Sequence, residues 1–422
     1  MTTQWVNSWS SSLDTGSAAG LPIIGSLTGS VISAGRVDEP WPAAGNFLTL
    51  KVDLSNAPGT GTSYRFQLRV AGADSTVLDV TIADDETSGS ASGTVAVTKD
   101  QLLRITMTPT GTPAAVTFAN IWLEFDPTTA DNFVYAGGFA STNVSSVGAP
   151  RFAGLLGGVE GVAGVSDGAG VRTIAPFAGT ITAFTVALNT APGAGTSWDF
   201  RIMVNGAEDA SSALNIANTA VLGAVTGLTI AVAKGDVLGF ELKAANGTPA
   251  SSRGMNFGVV FVPTTAGQFA VAGCDDGGGN STAAARYALI GKIHSGLDLQ
   301  TTEAPAQRLF PASLQCQGLS VEVTNAPGDA KQYDFQFRVD GASVNTDFVL
   351  TGAATTKGSS DSDVDELTDA SVINLSVTPT GTPANQGAFN YSLAFGPAAG
   401  GASPGGGGSG DYAAMKHFWW IS

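Results

Sequence analysis

The chain is poor in the residues that most chemistry needs. Its 422 residues hold two cysteines and two histidines. Two cysteines cannot make a disulfide framework, and zinc needs more Cys and His ligands than are here. Charged residues are scarce at 13%, and acids outnumber bases 35 to 19, giving a formal net charge of −16. That balance excludes general nucleic-acid binding, which needs Lys and Arg to displace counterions from phosphates. It suits a soluble protein that repels itself. No apolar run approaches the ~20 residues of a membrane-spanning helix. Long periodic helical stretches are also missing. The opening residues, Met1 to Asn7, carry neither the basic segment nor the apolar core of a secretion signal. The sequence therefore predicts synthesis and folding in a reducing cytoplasm.

Glycine, by contrast, is abundant at 55 residues, and it is organised. Ala57-Pro58-Gly59-Thr60-Gly61-Thr62-Ser63-Tyr64-Arg65-Phe66 returns as Ala191-Pro192-Gly193-Ala194-Gly195-Thr196-Ser197-Trp198-Asp199-Phe200. It returns again as Ala326-Pro327-Gly328-Asp329-Ala330-Lys331-Gln332-Tyr333-Asp334-Phe335. The prolines are 134 and 135 residues apart, so one structural unit is used three times. Pro-Gly presets a type II turn. After it, Tyr64, Phe66, Leu68 and Val70 alternate with Arg65, Gln67 and Arg69, the period of a half-buried strand. Before it, Leu50, Val52 and Leu54 alternate in the same way, as do Phe184, Val186, Leu188 and Leu319, Val321, Val323. The turn therefore joins two amphipathic strands, as a hairpin or as a corner between sheets. Ala71-Gly72, Asn205-Gly206 and Asp340-Gly341 then mark a further tight turn.

A second motif, Thr108-Pro109-Thr110-Gly111-Thr112-Pro113, recurs as Asn246-Gly247-Thr248-Pro249 and Thr378-Pro379-Thr380-Gly381-Thr382-Pro383. A closing strand follows in each copy, ending at Pro127, Pro263 and Pro397. These marks divide the chain into units at 1–127, 128–263 and 264–397. In the first unit, strands are expected near 3–9, 22–33, 47–54, 63–70, 76–82, 93–98, 102–108 and 119–125. About eight short antiparallel strands per unit predict an all-β chain of three tandem jelly-roll-like sandwiches. Three such units can sit as beads or close as a pseudo-threefold cluster. Residues 398–410 are Gly, Ala, Ser and Pro, a flexible-linker composition. Residues 411–422 end in an aromatic peptide whose Phe418, Trp419 and Trp420 are expected to dock on a partner, a neighbouring subunit or the third unit itself.

The search for chemistry yields little. His294 has no nucleophile elbow near it, although Ser281, Asp275 and Asp276 are close in sequence, and it reads as a loop histidine. Cys316 takes the slot of Phe47 and Ile181 in the other copies and reads as a small core residue. Asp361, Asp363 and Asp365 alternate oxygen donors as calcium loops do, without the glycine and distal glutamate of an EF-hand. Calcium there is the one cofactor the sequence suggests. No glycine-rich nucleotide cradle is present. Trp9, Trp41 and Trp122 could stack on sugars, and Trp122, opposite Ile121, Leu123 and Phe125 on its strand, is the best surface candidate or a subunit contact.

The Ala-Pro-Gly-x-Gly-Thr-Ser-aromatic-x-Phe segment, followed by Thr-Pro-Thr-Gly-Thr-Pro, resembles repeated β domains of bacteriophage and prophage virion proteins. The third copy departs from the pattern, with Asp329-Ala330-Lys331 in the loop. The resemblance implies a non-enzymatic virion component, a decoration, fibre or spike protein that packs against itself or other particle proteins. A glycan- or receptor-binding adhesin for host attachment is the alternative.

Overall fold

The computed structural model describes residues 3–10, 13–27, 37–130, 132–144, 150–155, 172–250, 252–275, 283–291, 293–294, 299–303, 306–360, 364–369, 371–387 and 389–397. Its regular structure is almost entirely strand. The first unit runs β1 (Gln4–Ser10), β2 (Ala19–Leu21), β3 (Gly25–Leu27), β4 (Glu39–Pro40), β5 (Gly45–Leu54), β6 (Gly59–Val70), β7 (Ala73–Asp84), β8 (Ser88–Val97), β9 (Leu102–Thr110) and β10 (Ala119–Pro127). One sheet has the order β3-β1-β10-β5-β8 and the other β2-β9-β6-β7. Two four-stranded sheets with these crossovers, β1-β10-β5-β8 and β2-β9-β6-β7, are a jelly roll. Of the strand expected over 22–33, the described residues hold β3 (Gly25–Leu27), and residues 28–36 lie outside them.

The second unit repeats the plan with β11 (Phe133–Val144), β12 (Arg151–Ala153), β13 (Thr173–Ile174), β14 (Gly179–Leu188), β15 (Gly193–Val204), β16 (Ala207–Glu208), β17 (Leu214–Asn218), β18 (Leu222–Val232), β19 (Val237–Asn246) and β20 (Ser252–Pro263). Its sheets are β11-β20-β14-β18 and β12-β19-β15-β16, with β17 continuing the edge beside β15. The third unit has β21 (Phe269–Asp275), β22 (Arg286–Ala288), β23 (Ile293–His294), β24 (Arg308–Leu309), β25 (Leu314–Val323), β26 (Gly328–Val339), β27 (Ala342–Gly352), β28 (Lys357–Ser359), β29 (Asp365–Leu367), β30 (Val372–Thr380) and β31 (Phe389–Gly396). They form β23-β21-β31-β25-β28, with β29 also on β25, and β22-β30-β26-β27.

The Pro-Gly turn is the corner of each sandwich. β5 belongs to one sheet and β6 to the other, so the chain changes sheets at Pro58-Gly59 and does not fold back as a hairpin. Gly59, Gly193 and Gly328 take φ of +99°, +104° and +104°, which the turn demands of them. The second motif closes on this corner, because Ala114, Ala250 and Ala384 donate their amides to the carbonyls of Pro58, Pro192 and Pro327. That bond explains why the two motifs recur together. The next turn is a hairpin of type I′: Ala71 and Gly72 both have positive φ, as do Asn205-Gly206 and Asp340-Gly341.

Alternation fills the core as the period requires. Tyr64, Phe66, Leu68 and their counterparts Phe200, Ile202, Tyr333, Phe335 and Phe337 have no exposed surface. Each such large side chain contributes roughly 1.5–3 kcal/mol by leaving water. In unit one, Trp41, Phe47 and Phe125 pack with ring centroids 5.0 to 5.1 Å apart. In unit three the same slots hold Phe310, Cys316 and Phe395. Cys316 is fully buried there as a small core residue, and burial pushes its thiol up to about 12, which keeps it a thiol.

The three sandwiches close on one another. Gln4, Phe133 and Phe269 hold equivalent places on β1, β11 and β21, all pairing with a phenylalanine of the closing strand. The Gln4 side-chain oxygen accepts from the Val134 amide at 3.0 Å, the Phe133 and Phe269 rings lie 6.4 Å apart, and β1 touches β21. Equivalent strands from all three units can meet pairwise only around a common pseudo-threefold axis. The described residues therefore form a closed ring of three.

Candidate functional site

Each seam of the ring is built by the same two parts. A short arm ahead of the Pro-Gly corner (residues 38–42, 172–176 and 307–311) pairs with its own unit's sheet, through β4 on β9, β13 on β19 and β24 on β30, and its other side rests on the outer face of the next unit. The arm of unit one sits on unit two, where Asn256 donates to the Asp38 carbonyl at 2.9 Å; beside the arm, Thr185 donates to Asp100 in the turn between β8 and β9 at 2.7 Å. A Cβ at Gly258 would fall 2.5 Å from the Pro40 carbonyl oxygen, so the absence of a side chain lets the arm approach. The arm of unit two sits on unit three, where Arg172 pairs with Glu322 at 3.6 Å. The arm of unit three sits on unit one.

That last seam differs from the other two, because it joins the two ends of the ring and no linker spans it. Position 122 faces position 51 across β10 and β5, as 258 faces 185 and 392 faces 320. These equivalent places hold Trp122, Gly258 and Ser392. Trp122 packs edge-on against Phe310 of the third unit with centroids 5.5 Å apart. Lys51 donates to the Pro311 carbonyl at 2.6 Å. The Arg308 guanidinium lies over the Phe118 ring, 4.0 Å from its centre, a contact of about 2 kcal/mol when desolvated. The seam thus replaces a covalent link with an aromatic anchor and charge-assisted contacts.

Beside the anchor is a cleft of about 90 Å³ lined by Lys51, Asp53, Ser88, Ser90, Trp122 and Pro311, among others. Its polar groups are placed by strand geometry. Lys51 and Asp53 are two residues apart on β5 and share a face, and the register sets Ser90 opposite Lys51 and Ser88 opposite Asp53. Burial pushes the Asp53 carboxyl up to about 7, against the pull of Lys51 and Arg308. Burial also brings Arg308 down to about 9, with Asp53 opposing. The pair occurs in different form at the second seam, where burial raises the Glu322 carboxyl and Arg172 opposes it. At the first seam the acid is replaced by Ala187 and the base by Glu39. Glu39 turns inward, its Oε2 accepting from the amides of Ile23 and Ile24 at 3.0 and 3.1 Å, and burial pushes it up to about 8.

The residues singled out from sequence fall in several places. Trp122 and Trp41 are 1% and 0% exposed, so neither offers a face to a sugar. Trp122 does lie on the outer face of its sheet, but the third unit covers it. Asp365 is buried and its carboxylate is used: Oδ1 accepts from the backbone and side-chain amides of Asn345 at 2.9 and 3.0 Å, and Oδ2 from the Thr346 amide at 2.7 Å. It pins β29 to β27. Asp361 and Asp363 lie outside the described residues, as do Phe418, Trp419 and Trp420. The side chains of Trp9, Cys274 and His294 are likewise outside them. Among the described residues no group of three or more His, Cys, Asp or Glu converges as metal ligands would.

Lys51, Asp53, Arg172, Arg308 and Glu322 escaped the sequence reading. Their signal was present in the outward-facing positions, where the copies differ: Lys51, Thr185 and Ser320, or Asp53, Ala187 and Glu322. An interface that must be distinct at each seam varies at those places, while the inward positions stay apolar. No protein-family model matches the chain, and no curated protein matches it either.

Proposed function

We propose that the chain is a non-enzymatic structural component of a bacteriophage particle, a decoration, fibre or spike protein that works by packing against other proteins. The observation that carries this reading is the seam. Each unit presents an arm and an outer sheet face, and all three pairs are engaged head to tail, which is the use of a sandwich as a building block. The resemblance of the repeated corner motif to virion β domains supports the same reading. So does the nature of the polar groups at the seam, which hydrogen-bond and pair charges across units. In this role the peptide at 411–422, with Phe418, Trp419 and Trp420 on the tether 398–410, is the attachment element, bound to a particle protein or to another copy.

The test is to express an epitope-tagged chain during phage production, band the particles on a density gradient and image them with labelled antibody. Label on particles, lost when 411–422 is deleted, is the expected result. Label confined to the soluble fraction, with particles unlabelled, overturns the reading.

A further inference from the structure

The cleft at the third seam exceeds what ring closure needs. Trp122, Phe310, Arg308 and the Lys51 to Pro311 bond close that seam, and beside Lys51 the cleft adds a carboxyl group and two hydroxyls, from Asp53, Ser88 and Ser90, in one concave place. We propose that this cleft binds one ring of a neutral polyhydroxylated ligand, a pyranose, clamped between units one and three.

The ligand class follows from the walls. An anion would meet Lys51 but also Asp53, and a cation would meet the reverse. A neutral polyol carries donors and acceptors side by side, so it satisfies Lys51, a donor only, together with Asp53, an acceptor when ionised. Two residues along a strand set their side chains about 6.5–7 Å apart, which suits hydroxyls on opposite sides of one sugar ring. Ser88 and Ser90 stand across from them on the edge strand β8 and supply hydroxyls of both kinds. Pro311 and Leu309 give an apolar wall for the ring's C–H face. The volume, about 90 Å³, limits the site to a single ring. Trp122 forms the floor and is too covered to act as a stacking platform. Its indole instead serves as a reporter. Because the ligand touches two units, binding also holds the seam shut.

The experiment uses the full chain with the methyl glycosides of glucose, galactose, mannose and N-acetylglucosamine, and with myo-inositol. Acetate and methylammonium serve as charged controls. Saturation-transfer NMR and tryptophan fluorescence follow the titrations. At least one pyranoside is expected to saturate, with the dissociation constant rising about tenfold in Asp53→Asn as a charge-assisted hydrogen bond is weakened. Ser90→Trp, at an exposed position on the edge strand, should abolish binding while the melting temperature holds. Ser88→Leu is a second block if the first misfolds. A glycan array distinguishes a free sugar from the terminal residue of a surface polysaccharide, and either must be lost on blocking. No saturable response from any pyranoside, an unchanged response in the blocked variants, or competition by acetate or methylammonium overturns the proposal. Particle labelling is a separate readout, so failure here and failure of the structural reading are distinguishable.

Discussion

Single residues mark where the three copies have drifted apart. The corner loop puts Gly61 and Gly195 at φ of +75° and +73°, and Ala330 must take +55° in the third copy. An L residue there carries a cost of about 1–2 kcal/mol that glycine avoids, less what glycine adds to the unfolded chain's freedom. Ala330→Gly is therefore expected to stabilise the protein by about 0.5–1 kcal/mol in urea denaturation; a loss of stability would refute the strain. Glu39 illustrates a second kind of divergence, a carboxyl group held inside where Arg308 reaches out in unit three. Its folded pKa, about 8, is above its unfolded value. Folding therefore favours the protonated form. The stability it contributes is complete below about pH 4.5 and is lost as pH rises through 8. Thermal melts should fall across that window in the wild type. In Glu39→Gln, which keeps an acceptor for Ile23 and Ile24, they should stay flatter and end higher at pH 9. Parallel curves for the two proteins would exclude Glu39 as the titrating group.

At the scale of elements, the corner between sheets is the part most fully written in the sequence. Pro58-Gly59 fixes two dihedrals, and Thr62 Oγ1 reaches back to the Pro58 and Gly59 carbonyls at 2.8 and 2.7 Å. Thr196 repeats this at Pro192 and Gly193, at 2.7 and 2.9 Å. Lys331 stands in the third copy and has no hydroxyl. Replacing Thr196 with Ala is expected to cost about 1 kcal/mol in chemical denaturation, the net worth of one such bond. No change would mean that the proline alone holds the corner. Strand existence and face were legible because apolar side chains alternate over six to eight residues. What the alternation left open was whether the corner was a hairpin, since both solutions bury the same faces. The partners of Asp365 were not legible for a related reason: a carboxylate accepting three amide bonds and one facing a cation look alike in sequence.

For the molecule as a whole, the decisive contacts lie between units. Trp122 closes the one seam with no linker, and its partner Phe310 lies 188 positions along the chain. Truncating a buried indole costs about 3–5 kcal/mol, here concentrated in the seam. Trp122→Ala is expected to lower the melting temperature and to raise the radius of gyration measured by small-angle scattering, as unit three separates from unit one. Retained compactness would show that the arms alone close the ring. The same change at the equivalent position has no counterpart in unit two, where Gly258 admits the arm by having no side chain.

Local spacing determined the threefold repeat, the strands, the Pro-Gly turn and the buried faces, because backbone dihedrals and side-chain alternation act over a few residues. The change of sheet at the Pro-Gly corner, ring closure, the covering of Trp122 and the approach of Arg308 to Asp53 were decided only in three dimensions. The last three join residues more than a hundred positions apart on outward faces, and an outward face reads as polar or apolar without saying what will come to lie on it.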